Sequence, residues 1–449
     1  MNILLFNRYR KIKIIIFVSS LFLFLYYLRE NYQVNYYDET GYINISKMIL
    51  NQGLFNITDE LRTYFYSLLI AIISIFTNGD IALIKIIMSV FQYLFYAYTI
   101  WLISEKMFEI SRRESLSLGI LFFGLLNPYL VQSTTLFLTD LLATCCVLLA
   151  LTYLIFGDYD KNRTYLLIFS FGYIATMIRP SSIVFIPIVF CLMIIRKKVI
   201  KDVNLKKVVF FACIMLIIFF PQLYNNIKQF DHWTPLIHAN LYEFQSNLAA
   251  SNLKYGTVVI PGENAQLFFP APYSIDSLKN GIFELIHTNF LAFITVYSSH
   301  LFGVLDWGYI KTYITDYYSI SRIFGSLFLY LFWIFGFYGL YLFIKNNKTI
   351  LERFIILSLV SSFLIYWGFI GTTIIESRFG YPLFVLILPF AGISTQHLWD
   401  YISNKKIDKS IKINKFFKFS IINIILLISL FYLSFLIDFQ TGRINWLDF

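Results

Sequence analysis

Apolar runs of about 15 to 23 residues, separated by short loops that hold most of the lysines and arginines, recur along this chain. A helix of that length spans the roughly 30 Å hydrocarbon core of a bilayer. The composition agrees. Of 449 residues, 58% are hydrophobic and only 14% charged, with a mean hydropathy of +0.68. No water-soluble globule could bury so much apolar surface, so the chain reads as an all-α polytopic membrane protein.

The basic residues set the orientation. Arg8, Arg10, Lys11 and Lys13 keep the N-terminus in the cytoplasm, and the first span, about 14 to 28, delivers a polar stretch outside. That span lacks a small-residue cleavage site and begins a series of similar runs, so it reads as a retained helix. Tyr64 to Thr77 is short for a crossing, and Arg62, Tyr64 and Tyr66 suit a headgroup-level anchor. Read as an outer juxtamembrane helix, it leaves every later Lys/Arg-dense short loop on the cytoplasmic side. The remaining spans fall at about 82–104, 116–134, 141–157, 164–178, 182–195, 207–223, 327–344, 354–371, 379–398 and 419–437, about eleven crossings in all. Lys85 lies near the outer end of its span and is expected to snorkel. The chain is thus expected to be one integral-membrane domain, 1–449, of the inner or plasma membrane. A first outer loop, 29–81, and a long outer segment, 225–326, lie on the periplasmic or extracellular side. A helix over Ile282 to Phe302 is expected to lie at the interface or dip partly into the membrane.

Several function classes are excluded. The net charge of +10 is spread between membrane spans, which is a topology signal and leaves no nucleic-acid partner. Cys145, Cys146, Cys191 and Cys213 sit within apolar runs, as small core residues do. His232, His238, His287 and His300 show no metal-ligand spacing, which argues against a dedicated zinc site. Phosphate-cradling glycine loops, a nucleophile elbow and CxxC are all missing from the sequence.

The candidate chemistry lies on the outer side. Asp38 and Glu39 follow the first span in what reads as an extended or irregular loop, where neighbouring side chains diverge: one can face a cavity while the other braces the loop. Glycosyl transfer needs a carboxylate to take the acceptor's proton; the plain alternative is a solvated loop tip. Asp140 stands where the third span emerges, and either it or Thr139 can cap the next helix. It can also orient an acceptor or share a divalent ion with Asp38. Arg62, Arg179 and Arg378 fall at the same outer level. Each could simply snorkel, yet guanidinium groups bind phosphate in bidentate fashion, as a polyprenyl phosphate would require at this depth. Glu376 either pairs with Arg378 or points into the cavity.

At these residues the chain resembles the GT-C superfamily of polytopic glycosyltransferases. Specifically, it resembles bacterial members akin to protein O-mannosyltransferases and lipid A aminoarabinose transferases, of the family 39 type. The resemblance is carried by Asp38-Glu39, by Arg62 before a juxtamembrane helix, by NPYLVQSTTLFLTD ending in Asp140, by IRPSS around Arg179 and by ESRFGYPLFVLILPFAGI around Arg378. It implies a GT-C-type helix bundle and a polyprenyl-phosphate-linked sugar donor. It also implies inverting transfer outside the membrane to an envelope glycan, lipid or protein acceptor among the membrane lipids, with the base at Asp38 or its neighbour. Asp140 would help form the site and the arginines would hold the donor phosphate. No particular cofactor is implied, and a divalent cation at Asp38 and Asp140 stays open. The chain departs from the pattern where Thr63-Tyr64-Phe65 follows Arg62 in place of a Pro-Pro, and neither of the soluble domains found in some relatives is expected. An O-antigen-type polymerase or ligase would rely on arginines without the acidic pair. A lipid-sugar flippase or transporter would place ionisable groups near the membrane midplane.

Overall fold

The computed structural model describes residues 3–260, 263–271, 281–316, 321–346, 349–403, 409–438 and 443–446. The first half runs through α1 (Ile3–Asn31), α2 (Tyr37–Gln52), α3 (Tyr64–Phe76), α4 (Ile81–Ser111), α5 (Glu114–Leu125), α6 (Pro128–Ser133), α7 (Asp140–Phe156), α8 (Asn162–Ile178), α9 (Phe185–Val199), α10 (Leu205–Met215) and α11 (Phe220–Phe230). An outer layer follows with α12 (Leu241–Ser251), β1 (Asn252–Ile260), β2 (Glu263–Pro270), α13 (Leu285–Thr288), α14 (Phe290–Gly303) and β3 (Tyr313–Ile314). The chain then returns to long helices, α15 (Ser321–Asn346), α16 (Ile350–Ile370), α17 (Tyr381–Ser403) and α18 (Lys409–Asp438), before β4 (Arg443–Trp446). With 78% helix, the protein is an all-α polytopic membrane protein. Among the described residues six helical stretches are long and apolar enough to cross a bilayer, and five further apolar helices are shorter, α3 and α7 among them.

The centre of the bundle is α17, whose apolar window is 83% buried, packed between α5, α15 and α7. Close approach there depends on glycine. A Cβ on Gly339 of α15 would strike the Phe390 carbonyl of α17, and one on Gly392 would meet the Leu116 carbonyl of α5. In lipid, where apolar side chains gain nothing by leaving the solvent, such small-residue contacts are what hold helices together.

Three local features depart from the sequence reading. The stretch 116–134 is not one span. It breaks at Asn127, whose Oδ1 accepts from the amides of Tyr129 and Leu130 at 2.9 and 3.1 Å, with Pro128 opening α6. The buried, irregular backbone that follows is satisfied by Gln92 of α4, which donates to the carbonyls of Thr134 and Leu136 at 3.0 and 2.9 Å. Secondly, Asp38 and Glu39 lie in the first turn of a helix instead of an extended loop. Glu39 accepts from the Tyr36 amide at 2.8 Å, and both acids stand at the end where the helix dipole favours negative charge.

Thirdly, Lys85 does not snorkel. It is fully buried, its Nζ 2.7 Å from Glu39 Oε2 and bonded to the Val34 carbonyl, with the rings of Tyr36 and Phe137 on either side at 5.6 and 5.5 Å. The other Glu39 oxygen accepts from the Phe137 amide at 2.8 Å. Burial raises the Glu39 pKa, against which Lys85 and the two backbone amides pull it down. This pair pins α2 to α4 and to the broken segment.

The long outer segment holds the expected helical stretch, as a 3-10 turn over Gly281–Glu284 followed by α13 and α14, and also a four-stranded sheet in the order β3-β1-β2-β4. Strands β1 and β2 are antiparallel, β1 and β3 parallel. The Tyr255 amide of β1 donates to the Ile375 carbonyl at 2.8 Å, docking the sheet on the loop that precedes Arg378. His300 adds a second tie, its ring nitrogens 2.9 Å from the Gly371 carbonyl and 2.8 Å from that of Asn252.

Two outcomes are expected. Gly339→Leu should fail to bring α15 against α17 and should lower the detergent-solubilised melting temperature sharply or abolish folding. Lys85→Met leaves Glu39 buried without its cation, a loss of about 3–5 kcal/mol for removing one partner of a buried pair. Thermal unfolding should register it, and an unchanged melting curve would mean that the pair does not fasten α2.

Candidate active site

Residues Asp38, Arg62, Asp140, Arg179, Glu376 and Arg378 come from four separate parts of the sequence and converge at one end of the bundle. Local structure aims each one. Asp38 and Glu39 are successive residues of α2, about 100° apart around its axis. Glu39 therefore turns inward to Lys85 while Asp38 faces the opposite groups. Asp140 opens α7, and Arg179 ends α8, where Pro180 stops the helix and starts a 3-10 turn. Arg378 lies in the 3-10 turn Ser377–Gly380 that leads into α17.

Arg378 is the hub. Its Nη2 donates to Asp38 Oδ2 at 2.8 Å, its Nε to Glu376 Oε2 at 2.6 Å, and its Nη1 stands 3.8 Å from Asp140 Oδ2. Arg179 pairs with Asp140 Oδ1, donates to Ser181 Oγ at 3.0 Å and lies over the Phe379 ring at 4.7 Å. Arg62 Nη2 is 3.5 Å from Asp38 Oδ1. Gly41, one turn along α2 from Asp38, makes room for that guanidinium, since a Cβ there would overlap it. Arg62 is fixed further by Asp59, which accepts from its amide at 2.7 Å, and by the Tyr42 ring at 5.3 Å. The loop thus holds its arginine without the Pro-Pro of the resembled family.

Three carboxylates and three guanidiniums balance in charge, and they differ in access. The Asp38 side chain keeps 28% of its surface exposed, whereas Asp140 and Glu376 keep 2% each, so Asp38 is the carboxylate that an incoming molecule can reach. Burial alone would raise its pKa, yet Arg378, Arg62 and Arg179 outweigh that and hold it below the ordinary aspartate value. The buried Glu376 carboxyl is pushed up by desolvation, and Arg378 and the Tyr255 hydroxyl only partly reverse this. That hydroxyl donates to Glu376 Oε2 at 2.9 Å.

A divalent ion between Asp38 and Asp140 does not fit this arrangement. The Arg378 guanidinium stands between the two carboxylates and supplies the positive charge itself. No group of three or more His, Cys, Asp or Glu is disposed to hold a metal among the described residues.

Sequence reasoning missed Lys85, Tyr42 and Tyr255. The tyrosines carry no local signal among the 33 in the chain. For Tyr255 the β-branched run Thr257-Val258-Val259-Ile260 ending at Pro261-Gly262 is a strand-and-turn signature that would have located its strand.

No protein-family model matches the chain, and no curated protein matches it either. Solved structures do. One is the archaeal oligosaccharyltransferase AglB from Archaeoglobus fulgidus, in complex with an inhibitory peptide and a dolichol-phosphate, at a TM-score of 0.53 and 11% identity over 98% of this chain and 57% of that one. Another is the Archaeoglobus fulgidus oligosaccharyltransferase in complex with zinc and sulfate, at a TM-score of 0.52 and 11% identity over 96% of this chain and 53% of that one. The chain spans little more than half the length of these enzymes. At this identity the likeness concerns the fold, and the specific bacterial family is not singled out. The chain is a multi-pass membrane protein whose fold is similar to that of these Archaeoglobus fulgidus oligosaccharyltransferases.

Proposed function

We propose that the protein is a membrane glycosyltransferase that moves a sugar from a polyprenyl-phosphate donor to an envelope glycan, lipid or protein acceptor. The site would lie on the periplasmic or extracellular face, with the N-terminus in the cytoplasm. The observation that carries this reading is the convergence of Arg62 and Arg378 on the partly open Asp38, with Arg179 on the neighbouring Asp140, at the end of a helix bundle. An apolar groove of ≈ 690 Å³, formed by residues such as Ile183, Ile186, Leu216 and Phe220, the first of them four positions after Arg179 in the chain, suits the prenyl tail of such a donor. The dolichol-phosphate bound to the structurally similar AglB is in keeping with such a donor.

The chemistry follows from the exchange of partners. A donor phosphate takes up the guanidiniums that Asp38 and Asp140 now occupy, in the bidentate geometry arginine favours. Asp38, kept ionised by those arginines, then turns to the acceptor hydroxyl. As the acceptor oxygen bonds to the anomeric carbon, its proton passes to Asp38. The bond from that carbon to the phosphate oxygen breaks on the opposite face, so the configuration inverts and polyprenyl phosphate departs with its charge neutralised by the arginines. Glu376, bonded to Nε, keeps Arg378 aimed.

Purified protein in liposomes, given polyprenyl-phosphate donors of glucose, mannose, galactose, N-acetylgalactosamine and aminoarabinose with an envelope extract, should release polyprenyl phosphate from at least one donor. Asp38→Asn should lower turnover about 10²-fold or more, the usual worth of a positioned general base, while donor binding survives. Movement of lipid-linked sugar across the vesicle membrane without transfer would make the protein a transporter instead.

A further inference from the structure

The ion pairs around Arg378 do not use all the polar groups that face it. Glu376 spends its Oε2 on Arg378 and Tyr255, while its Oε1 is buried without a hydrogen-bond partner among the described residues. Tyr313 of β3 is 2% exposed, and its hydroxyl is likewise buried without a partner among the described residues. Its ring is locked by stacking on Tyr36 at 4.5 Å, at the start of the helix that carries Asp38. The phenol lies within electrostatic reach of Asp38, Arg378 and Glu376.

The sheet explains why these groups meet. Side chains alternate along a strand, so Tyr255, Thr257 and Val259 of β1 share one face. Tyr313 pairs with Thr257 in the parallel register and joins that face. Val259 packs with Tyr313, Tyr36, Leu136 and Leu138, and Tyr255 reaches Glu376. This face is therefore the roof over the arginine cluster. A protein rarely leaves a buried polar atom unsatisfied, and two beside one cluster of guanidiniums mark a place for a polar group of a ligand.

The chemistry of the pair selects that group. A carboxylate oxygen repels phosphate, so the donor's phosphate belongs with the arginines. A hydroxyl can donate to Glu376 Oε1 and accept from the Tyr313 hydroxyl at once. The sugar bonded to that phosphate necessarily lies beside the arginines. We propose that Tyr313 and Glu376 hold a hydroxyl of the glycosyl unit being transferred, which makes the roof sheet the surface that selects the sugar. The proposal rests on the glycosyltransferase reading above and adds to it the residues that read the donor.

The test crosses protein variants with sugar variants. Wild type, Tyr313→Phe and Glu376→Gln are assayed with the preferred polyprenyl-phosphate sugar and with its monodeoxy analogues. Binding of polyprenyl phosphate without sugar is measured for wild type and Tyr313→Phe. A site built to bond a hydroxyl discriminates strongly against its loss, so Tyr313→Phe should lower kcat/KM for the full sugar by about tenfold or more. The penalty should vanish for one particular deoxy analogue and remain for the others, and that analogue should also be the one for which Glu376→Gln costs least. Binding of polyprenyl phosphate alone should not change in Tyr313→Phe, which also shows that the variant is folded. Equal losses with every sugar, or no loss with any, would overturn the proposal while leaving the glycosyltransferase reading in place. If wild type transfers no sugar from any donor, both fall together.

Discussion

One guanidinium, that of Arg378, organises this end of the molecule. It bonds to Asp38, 340 residues earlier in the chain, and also engages Glu376 and Asp140. Taking a charge out of water costs several kcal/mol, and removing one partner leaves the others uncompensated. The carboxylates and guanidiniums therefore stabilise the fold only as a complete set. The start of α2, the start of α7, the end of α8 and the entry to α17 must arrive together, and the remaining helices pack so that they do.

The Asp38-Glu39 pair shows how a helix divides labour between neighbours. Glu39 goes to Lys85 in the interior and accepts two backbone amides, so it is fully buried among fixed partners and acts as a brace. Its neighbour, turned about 100° away, remains open enough to be reached. The broken third span serves the same end. By stopping at Asn127 and folding back through buried backbone held by Gln92, it presents the Phe137 amide to Glu39 and starts α7 at Asp140. Irregular backbone at this depth is tolerated because a side chain from α4 satisfies it.

Much of this was legible in the sequence. Apolar runs and basic loops disclosed a polytopic helical protein, and the helices over 64–76, 140–156, 162–178 and 350–370 lie close to where hydropathy put them. The charged residues at the outer ends of the spans were visible as Asp38, Arg62, Asp140, Arg179, Glu376 and Arg378, because a charge beside an apolar run stands out. Features that depend on a distant partner did not show. Lys85 looked like a snorkelling residue since its neutralising glutamate is 46 positions away. Helix α2 is too polar for its periodicity to announce it, and it owes its position to that ion pair. The roof sheet was overlooked because a helical stretch nearby dominated the reading of the outer segment, and its tyrosines blend into an aromatic-rich chain.

The central claim is that the arginine cluster is a lipid-phosphate site over which Asp38 presides, and binding tests it most directly. Polyprenyl phosphate carrying no sugar should be titrated into the reconstituted protein and into Arg378→Gln, with the melting temperature of each protein followed alongside. Saturable binding to wild type that weakens by tenfold or more in a folded Arg378→Gln protein is the result this account requires. Equal affinity in the two proteins would place the phosphate elsewhere and leave the arginines as purely structural partners of Asp38, Asp140 and Glu376.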